Sequence, residues 1–453
     1  MMSPKSRPFV RVVLLDFNGG QTIIEAVRAV VQTQWPADRI EIVCVDNGST
    51  DGSLEAIQNE FPSVAVIRNG KNLGFPGNNS AMKELHGVDF VALVNSDAFV
   101  ERNWLEPLVE RAGTDRGIGA VSPKILFADR FLEITVKLQD DERRGPKPAA
   151  LRGVSSNGQD VFTRCHVAGS GGRACDREGI FEWLNDGSII RVPESIGGGT
   201  AGVTDVVVDI ESHSNCMVTF GGSAEGEHNL SSGACVSLPL SVGRNPVDVV
   251  NNVGSWIDGT WTGHESGLYD VDRGQFDTPT EVGTWCGAAV LLRAEMIADV
   301  GLFDETFFLY YEDTDLAVRG RGRGWRFVTE PKSVVRHVHS ASTVEGSAVA
   351  EHYIERNRLL VVLRHASVSD ILRIFARHVL VTGSYLRTAY VAALSLRQRP
   401  DLTQVHRRTA SFLAALKLLP RSLVSRRKIA SHRLLSRHEL VRQIGSRPDG
   451  SAA

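Results

Sequence analysis

The chain has 453 residues, 42% hydrophobic and 23% charged, which is the composition of a globular protein with more than one domain. Its formal net charge of -3 argues against a general nucleic-acid binder, so no nucleic acid is expected among its partners. No apolar run reaches the roughly 18 residues that a membrane span requires, and the first residues form no apolar signal-peptide segment. We therefore expect a cytoplasmic protein in which Cys44 and Cys286, both in apolar runs, are buried free thiols.

Strands and helices alternate over the first part of the chain. Residues 22–31 have helical spacing, and Thr22 with Glu25 would begin that helix as a capping box. Strands alternating with helices favour a parallel α/β sheet, whose ligands bind beyond the carboxyl ends of the strands. Four β-rich runs are each followed by a polar cluster: 10–15, 40–45, 64–67 and 90–94 precede Asp16–Gly20, Asp46–Gly52, Asn72–Asn79 and Asn95–Asp97.

The pattern changes near Phe127. From about residue 137 to 243 the chain is rich in Gly, Ser and Asp, and helical periodicity is nearly absent. Short strands with regular turn signals predict a small β-sandwich inserted into the α/β domain, with a disordered linker as the alternative. The α/β pattern then resumes, and the last hundred residues are predicted to be mostly helical. The predicted domains are therefore 9–136, 137–243, 244–350 and 351–453.

Basic residues recur after Arg399 against very few acids, and they alternate with leucines and with Phe412. Such helices suit an anionic membrane surface, although a solvated face packed on the body of the protein is the alternative. We expect a peripheral protein on the inner face of the cell membrane, attached through these basic C-terminal helices.

The stretch Thr306–Leu316, TFFLYYEDTDL, places three carboxylates directly after an aromatic run. Like charges at this spacing repel, so a metal, a raised pKa or a catalytic role is expected for Glu312, Asp313 and Asp315. The alternative is a helix N-terminus, where acidic residues complement the helix dipole.

Two more carboxylates follow strands. Asp46, in an Asn/Gly-rich turn, could accept hydrogen bonds from a base or a ribose, and Asp97 could hold Mg²⁺ or Mn²⁺ against a diphosphate. His337 or His339 could add a metal ligand, but alternate residues of a strand point to opposite faces, so only one would reach the site. Each of these residues alone could equally be a turn, cap or core residue. No GxGxxG follows the first strand, and no GxxxxGK[ST] P-loop is present.

Seven segments, taken together and in this order, resemble family 2 inverting glycosyltransferases, with closest similarity to rhamnosyltransferase-like enzymes of bacterial cell-surface polysaccharide assembly. They are LLDFNGG, VDNGSTDGS, NLGFPGNN, LVNSDAFV, TWCGAAVLLR, VGLFDETFFLYYEDTDLAVRGRGRGWR and the segment around His337. The resemblance covers about residues 9–125 and 250–360. It implies a GT-A fold, a nucleotide-diphosphate sugar donor, a divalent cation (Mg²⁺ or Mn²⁺) and a glycan or lipid-linked acceptor.

The resemblance also implies roles for individual residues. Asp313 would be the catalytic base, with Glu312 and Asp315 supporting it, and Asp97 and His337 would bind the metal. The remaining positions implied to bind the nucleotide sugar, together with Asp97, are Phe17, Asn18, Asp46, Asn47, Asn72, Gly74, Asn78, Asn95 and Trp285. Asn95 stands where the usual metal motif has its first Asp, which leaves the strength of metal binding open.

The sequence thus predicts an inverting glycosyltransferase that moves a rhamnose-like sugar or another hexose in cell-envelope polysaccharide synthesis. Two alternatives stay open. The first is a non-catalytic carbohydrate-binding protein that uses the β-rich insert, and the second is a nucleotidyltransferase, which would release pyrophosphate.

Overall fold

The computed structural model describes residues 7–140, 149–175, 179–194, 203–243, 245–338, 347–397 and 399–447. The strands are β1 (Val10–Asp16), β2 (Ile40–Asp46), β3 (Ala65–Arg68), β4 (Phe90–Asn95), β5 (Ala98–Val100), β6 (Ile118–Phe127), β7 (Phe131–Asp140), β8 (Ala149–Ser156), β9 (Gln159–Asp160), β10 (His166–Ala168), β11 (Gly172–Cys175), β12 (Ile180–Leu184), β13 (Ser188–Pro193), β14 (Val203–Ser212), β15 (Cys216–Gly222), β16 (Gly226–Leu230), β17 (Cys235–Gly243), β18 (Val250–Asn252), β19 (Ser255–Ile257), β20 (Gly263–Glu265), β21 (Ala289–Arg293) and β22 (Arg326–His337).

The α-helices are α1 (Gly20–Val31), α2 (Ser53–Glu60), α3 (Asn79–Met82), α4 (Leu105–Gly113), α5 (Ala294–Val300), α6 (Glu312–Gly322), α7 (Ala348–His365), α8 (Val368–Leu396), α9 (Thr403–Lys417), α10 (Leu419–His432) and α11 (Arg437–Ile444). The chain divides into two compact units. The first contains the residues through Ala128, then Asn251–Leu268 and the chain from Gly274 onward. The second contains Asp129–Val250 and Tyr269–Arg273.

The first unit is built on a mixed sheet with the strand order β3-β2-β1-β4-β21-β6-β22-β5. Strand β1 runs parallel to β2 and β4, and its register places Asp16 beside Asp46 and Leu15 beside Asn95. The carboxyl ends of these three strands therefore share one edge, as the alternation of strands and helices predicts. Successive residues of β1 enter two different cores, because Val12 packs with α1 and α2 while Val13 packs on the opposite face.

Helix α1 begins at Gly20, and none of its own side chains caps it. The predicted capping box of Thr22 and Glu25 is wrong. The N–H of Gly19 donates to Asp16 Oδ1 at 3.0 Å and that of Gly20 to Asp51 Oδ2 at 2.8 Å. Carboxylates from neighbouring strand ends thus satisfy the helix N-terminus, a tertiary arrangement that local spacing does not encode.

The second unit consists of two antiparallel sheets, with strand orders β10-β13-β7-β15-β16 and β11-β12-β8-β14-β17. Alternate residues such as Ile134, Val136, Val206 and Val208 enter one hydrophobic core that both sheets share, as in a β-sandwich. Residues 137–243, the predicted insert, lie within this unit. Residues 129–136 and 244–250 belong to it as well, since β7 pairs with β13 and β15.

Helices α7 to α11 follow the sheet and form the predicted helical C-terminal region. Their core includes Leu360 and Leu363 of α7, Ala415 of α9 and Leu440 of α11, and it incorporates Phe307. Within the described residues, the structure contains no helix of the length and apolar character that crossing a membrane requires.

Candidate active site

Asp46 lies at the end of β2 with 4% of its surface exposed. Its Oδ1 accepts the backbone N–H of Ser49 at 2.8 Å, across a turn in which Gly48 has φ 86°. A positive φ of this kind favours glycine, and it folds the chain back over the carboxylate. In the described part of the chain, Asp46 Oδ2 has no hydrogen-bond partner, so this atom remains available to a ligand.

The loops after β1 and β2 are joined to each other. Asn18, with φ 54°, accepts the N–H of Thr50 on its Oδ1 at 2.8 Å, and its own N–H donates to Ser49 Oγ at 3.0 Å. The preceding Phe17 ring is 46% exposed. Two predicted donor-binding residues, Phe17 and Asn18, therefore stand beside the Asp46 turn on a hydrogen-bonded framework.

The third polar cluster is tied to the same edge through Asn47. Asn47 Nδ2 donates to the carbonyl of Gly74 at 2.9 Å, and Asn72 Oδ1 accepts the N–H of Gly74 at 2.8 Å. Gly74 has φ 67° and ψ -159°, a conformation essentially limited to glycine, and a Cβ there would overlap the carbonyl oxygen of Phe308. The side chain of Asn78, in contrast, is buried and bonds within its own turn, to the Phe75 carbonyl at 2.9 Å.

Asp97 and His337 lie together, although 240 positions separate them in the chain. His337 Nε2 is 3.1 Å from Asp97 Oδ1, and His337 Nδ1 is 3.0 Å from Asn251 Oδ1. When the Asn251 oxygen accepts from Nδ1–H, the neutral ring presents its Nε2 lone pair to Asp97, which is the arrangement of a histidine metal ligand. Sequence reasoning missed Asn251. His339 lies outside the described residues.

A short segment before β21 connects the donor edge to the acidic motif. The N–H of Asn95 donates to the carbonyl of Ala288 at 2.9 Å, and the N–H of Gly287 donates to Asp313 Oδ2 at 3.1 Å. Burial raises the pKa of the Cys286 thiol, and the charges of Glu265, Asp313 and Asp97 raise it further. The segment therefore contacts both Asn95 at the strand edge and Asp313 in the acidic motif, a link that neither motif alone indicates.

Trp285, immediately before that segment, is a core residue. Its ring packs edge-on against Phe327 with the centroids 4.7 Å apart, and 1% of its surface is exposed. Its Nε1 is buried and has no hydrogen-bond partner within the described residues. The indole thus anchors the start of the Cys286–Ala288 segment in the core, and its contact with the donor remains a prediction.

The acidic motif forms the first turn of α6, with Tyr311 at the N-cap. Asp313 is half-buried, and its Oδ1 accepts the N–H of Thr314 at 2.6 Å. Burial raises the pKa of Asp313, and burial together with the charge of Asp313 raises the pKa of Glu312 well above its ordinary value. Glu312 Oε2 is buried without a partner in the described structure. Ionisation of Asp313 therefore disfavours ionisation of Glu312 beside it.

Asp315 was predicted to support the base, but its contacts are with two basic side chains and a histidine, which gives it a structural role. Its carboxylate accepts from Arg319 Nε at 2.9 Å and lies 2.9 Å from His365 Nε2 and 3.4 Å from Arg364 Nη1. Arg319, Arg364 and His365 lower the pKa of this buried Asp315. Asp315 comes two positions after Asp313, about 200° round the helix, so its carboxylate faces α7 instead.

The residues before α6, Thr306–Tyr311, form the aromatic loop, and its backbone is unusual. Phe308, Tyr310 and Tyr311 have φ of 62°, 65° and 68°, values that cost a non-glycine residue about 1–2 kcal/mol each. Backbone strain of this kind persists only where surrounding contacts fix it. Asp313 follows the loop by two residues, in the first turn of α6, so contacts that fix the loop also help to position that carboxylate.

The contacts that fix the aromatic loop come from α7. Asn357 is fully buried, and its Nδ2 lies within hydrogen-bonding distance of three carbonyl oxygens, those of Phe307 (2.9 Å), Leu309 (2.7 Å) and Tyr310 (2.7 Å). Arg356 adds bonds to the carbonyls of Thr306 and Phe307, both at 2.8 Å. Sequence reasoning missed both residues. The only signal was an Arg-Asn pair inside a helical run, which carries no chemistry by itself.

Strand β20 also contacts the aromatic loop. The N–H of Gly263 donates to Tyr311 Oη at 3.1 Å, and Trp256 stacks on His264 with the rings 4.3 Å apart. Trp261 is buried, and its ring stacks over His365.

The metal-binding prediction depends on two side chains. Across the described ranges, no group of three or more His, Cys, Asp or Glu is placed to hold a metal ion. Asp97 and His337 nevertheless provide one carboxylate and one imidazole 3.1 Å apart at the strand edge. That donor set fits a divalent cation that takes its remaining ligands from substrate phosphates and water.

Comparison with known proteins identifies the family of this region. Residues 12–165 match the family model of glycosyl transferase family 2. Over 74 residues the chain is 38% identical to N-acetylglucosaminyl-diphospho-decaprenol L-rhamnosyltransferase of Mycobacterium tuberculosis, which covers 16% of this chain and 24% of that protein. Over 96 residues it is 31% identical to poly(ribitol-phosphate) beta-glucosyltransferase of Bacillus spizizenii, covering 20% of this chain and 15% of that one. The chain thus spans under a quarter of the length of these two relatives.

Solved structures with the same general architecture share little sequence with this chain. GalNAc-T7 with UDP, GalNAc and Mn²⁺ aligns with a TM-score of 0.44 and 16% identity, over 79% of this chain and 48% of that one. A mannosyltransferase of Pyrobaculum calidifontis with GDP-Man and Mn²⁺ aligns with a TM-score of 0.38 and 14% identity, over 97% and 79% of the two chains. The family match confirms the resemblance that the motifs indicated, and the mixed sheet is the GT-A architecture that it implies. Residues 12–165 of this chain therefore match glycosyl transferase family 2.

Proposed function

We propose that this protein is an inverting glycosyltransferase that uses a nucleotide-diphosphate sugar. One observation carries the proposal: Asp313 Oδ2 is held 3.1 Å from Gly287 N, in the same segment that bonds Asn95 at the donor edge. A carboxylate with a raised pKa therefore stands beside the residues suited to a nucleotide and its diphosphate. The family match over residues 12–165 supports this assignment.

The donor nucleotide would occupy the edge formed by the ends of β1 and β2. Asp46 Oδ2 can accept an N–H of a pyrimidine or purine base or a ribose hydroxyl, and the exposed Phe17 ring offers a face for a base. Asn18 and Asn47 hold the loops in place through the bonds described above. These hydrogen bonds form within the protein itself, so the loops require little ordering when the donor binds.

Asp97 and His337 would hold Mg²⁺ or Mn²⁺ at this edge. A divalent cation there would neutralise the negative charge that develops on the departing nucleoside diphosphate. Asn251 orients His337 for this role, since its Oδ1 lies 3.0 Å from Nδ1 and leaves Nε2 directed at Asp97. Asn95, in place of the usual aspartate, contributes a backbone contact and a neutral side chain.

Asp313 would act as the base. The acceptor hydroxyl oxygen forms a bond to the anomeric carbon as the bond to the diphosphate oxygen breaks, and the hydroxyl proton passes to Asp313. A pKa raised by burial makes the carboxylate a stronger base than an exposed aspartate, and the raised pKa of Glu312 disfavours a second charge beside it. Attack from the face opposite the leaving group inverts the anomeric configuration.

The substrates of the relatives suggest where to look first. A rhamnose-like sugar or another hexose is the proposed group transferred, and a glycan or lipid-linked saccharide of cell-envelope polysaccharide synthesis is the proposed acceptor. Trp256 and its neighbours, which contact the aromatic loop through Gly263 and Tyr311, are the proposed acceptor side. The presence of Asp46, Asp97 and Asp313, each suited to one step of the transfer, favours this proposal over the non-catalytic alternative.

Nucleoside diphosphate release from a panel of dTDP-, UDP- and GDP-sugars tests the proposal, with Mg²⁺, Mn²⁺ or EDTA and with a saccharide acceptor mixture. We expect release from one donor, dependence on the cation and loss of release in Asp97→Ala. Pyrophosphate as the product would instead establish the nucleotidyltransferase alternative. Saccharide binding without turnover, combined with no calorimetric binding of any donor, would establish a carbohydrate-binding protein.

A further inference from the structure

Helix α8 exposes apolar side chains over most of its length. Its 29 residues, Val368–Leu396, form the longest helix among the described elements. Exposed fractions reach 67% for Leu372, 73% for Leu380 and 79% for Leu394. The other large exposed apolar side chains of this helix are Val368 (63%), Val379 (55%), Tyr385 (45%), Leu386 (40%), Tyr390 (50%) and Val391 (55%). A soluble helix that packs on one side does not expose residues in this number.

The exposure is not confined to one face. Leu372, Val379, Leu386 and Tyr390 recur at spacings that place them along one side of the helix. Leu380, Val391 and Leu394 extend the apolar surface beyond that stripe, and of residues 383–392 all but Ala389 are exposed. The second half of α8 therefore exposes apolar side chains on more than one side, and among its residues 383–395 Ala393 alone is buried.

The charge on this part of the chain has a single sign. From Ile371 to Pro400 there is no Asp or Glu, while five arginines occur. They are Arg373, Arg377, Arg387, Arg397 and Arg399. In the described structure, Arg377 and Arg387 have no carboxylate partner. The long side chains of arginines can extend from an apolar helix to reach charged groups at its boundary.

Two kinds of occupant fit an apolar helix of this sort, and charge discriminates between them. A second copy of this chain would bring the arginines of one α8 against those of the other, and the carboxylate that α8 contains, Asp370, is already paired with Arg373 at 2.8 Å. An anionic lipid surface supplies the opposite charge and also surrounds the helix, as its all-round exposure requires. Tyr385 and Tyr390 suit the boundary between lipid and water, where aromatic rings with a polar tip are favoured.

We propose that α8 docks this protein on an anionic lipid surface, with the apolar side chains of Leu372–Leu394 in the headgroup and acyl boundary and the arginines on lipid phosphates. This revises the expected attachment through the helices after Arg399. Arg407 and Arg408 pair with Glu351 and Glu355, and Arg426 donates to the Leu363 carbonyl, so these cations serve the fold. The exposed Lys417, Arg421, Arg427 and Lys428 remain available to add long-range attraction.

Flotation of the full chain with vesicles tests the inference. The probes are phosphatidylcholine vesicles with and without phosphatidylglycerol. The variant is Leu380→Glu with Leu394→Glu, and the matched control is Val349→Glu with Val441→Glu, which adds the same charge at two exposed helical valines outside α8. We expect the wild-type chain to bind only the anionic vesicles. The α8 variant should bind them with an affinity at least about tenfold lower, and the control should bind nearly as well as the wild type.

Arg377→Gln with Arg387→Gln should weaken binding to anionic vesicles without exposing or burying any apolar residue. Absence of vesicle binding by the wild-type chain, or equal losses in the α8 variant and the control, would overturn the proposal. So would a dimer in sedimentation equilibrium that Leu380→Glu with Leu394→Glu dissociates, because that outcome makes a second copy the occupant. Release of nucleoside diphosphate in solution is measured on the same proteins, so a failed docking surface is distinguished from a failed enzyme.

Discussion

Replacing Asn357 by Ala tests whether the aromatic loop positions the base. Asn357 is buried in α7, and its Nδ2 serves the carbonyls of Phe307, Leu309 and Tyr310 at 2.7–2.9 Å. The amide has two hydrogens, so its loss removes two full hydrogen bonds and leaves buried carbonyls without a donor. Asn357 contacts the backbone of the loop and no part of the proposed substrate site, and it is therefore a positioning residue.

The size of the effect follows from two competing energies. A buried polar group left without a partner costs about 1–3 kcal/mol, so two lost bonds cost about 2–6 kcal/mol. The three residues of the loop with positive φ store about 3–6 kcal/mol of strain. These two quantities are equal in size, so without the amide the strained conformation is no longer favoured. At the lower limit of about 2 kcal/mol, kcat should fall about thirtyfold.

The assay measures kcat and donor affinity separately. Asp46, Asn47 and the turns around them do not touch Asn357, so calorimetric binding of the nucleotide-sugar donor should be nearly unchanged while kcat falls. The control is Val361→Ala, at a fully buried residue of the same helix. The cavity that it leaves should destabilise the fold by about 2 kcal/mol and lower the melting temperature, but kcat measured well below that temperature should be retained. Equal kcat in Asn357→Ala and Val361→Ala would refute the positioning role.

Three further predictions concern the same site. Burial raises the pKa of Asp313 above 3.8, so its base form is lost as pH falls through the raised value. The acid limb of a kcat/KM profile should therefore lie at a higher pH than an exposed aspartate would give, and a limb at or below 3.8 would contradict this. Gly74→Ala should destabilise the fold by at least about 1–3 kcal/mol in a denaturant titration, because alanine disfavours this backbone conformation and its Cβ overlaps the Phe308 carbonyl. The control is Gly87→Ala, which also has a positive φ but has open space for a Cβ, so it should destabilise the fold less. Asn251→Ala should weaken activation by Mn²⁺ about 10- to 100-fold in a titration of activity, because His337 loses the group that orients it; an unchanged Mn²⁺ requirement would remove His337 from the metal site.

The sequence predicts the fold well where local patterns suffice. Parallel strands are apolar throughout, so β1, β2 and β4 and the polar turns after them can be read from alternation of buried runs and turns. The two sheets of the second unit follow from short β-branched strands in the same way. The edges of these units are less predictable, because the start of β7 at Phe131 depends on pairing with β13, a partner some sixty residues away.

The candidate site is predicted only in part, for a physical reason. Asp46, Asp97 and Asp313 stand in motifs, and each motif carries its own signal. Asn251, Gly287 and Asn357 act through hydrogen bonds to residues distant in the chain, and an Asn or a Gly has no chemistry that marks it before the fold brings it into place. Asp315 illustrates the opposite error, since it sits in the acidic motif but its partners are Arg364 and His365 of α7.

The most direct test of the central claim compares two neighbouring carboxyl groups. Asp313→Asn removes the proposed base, and Glu312→Gln makes the same carboxyl-to-amide change one residue away, at a group whose pKa is raised well above its ordinary value. We predict that Asp313→Asn loses at least about 10²-fold in turnover with donor binding retained, while Glu312→Gln keeps most of its turnover. Glu312→Gln should also gain stability over wild type as pH rises above 4.5, since the raised folded-state pKa of Glu312 makes ionisation there costly. Turnover by Asp313→Asn at the wild-type rate, or equal losses in the two variants, would contradict the assignment of Asp313 as the base.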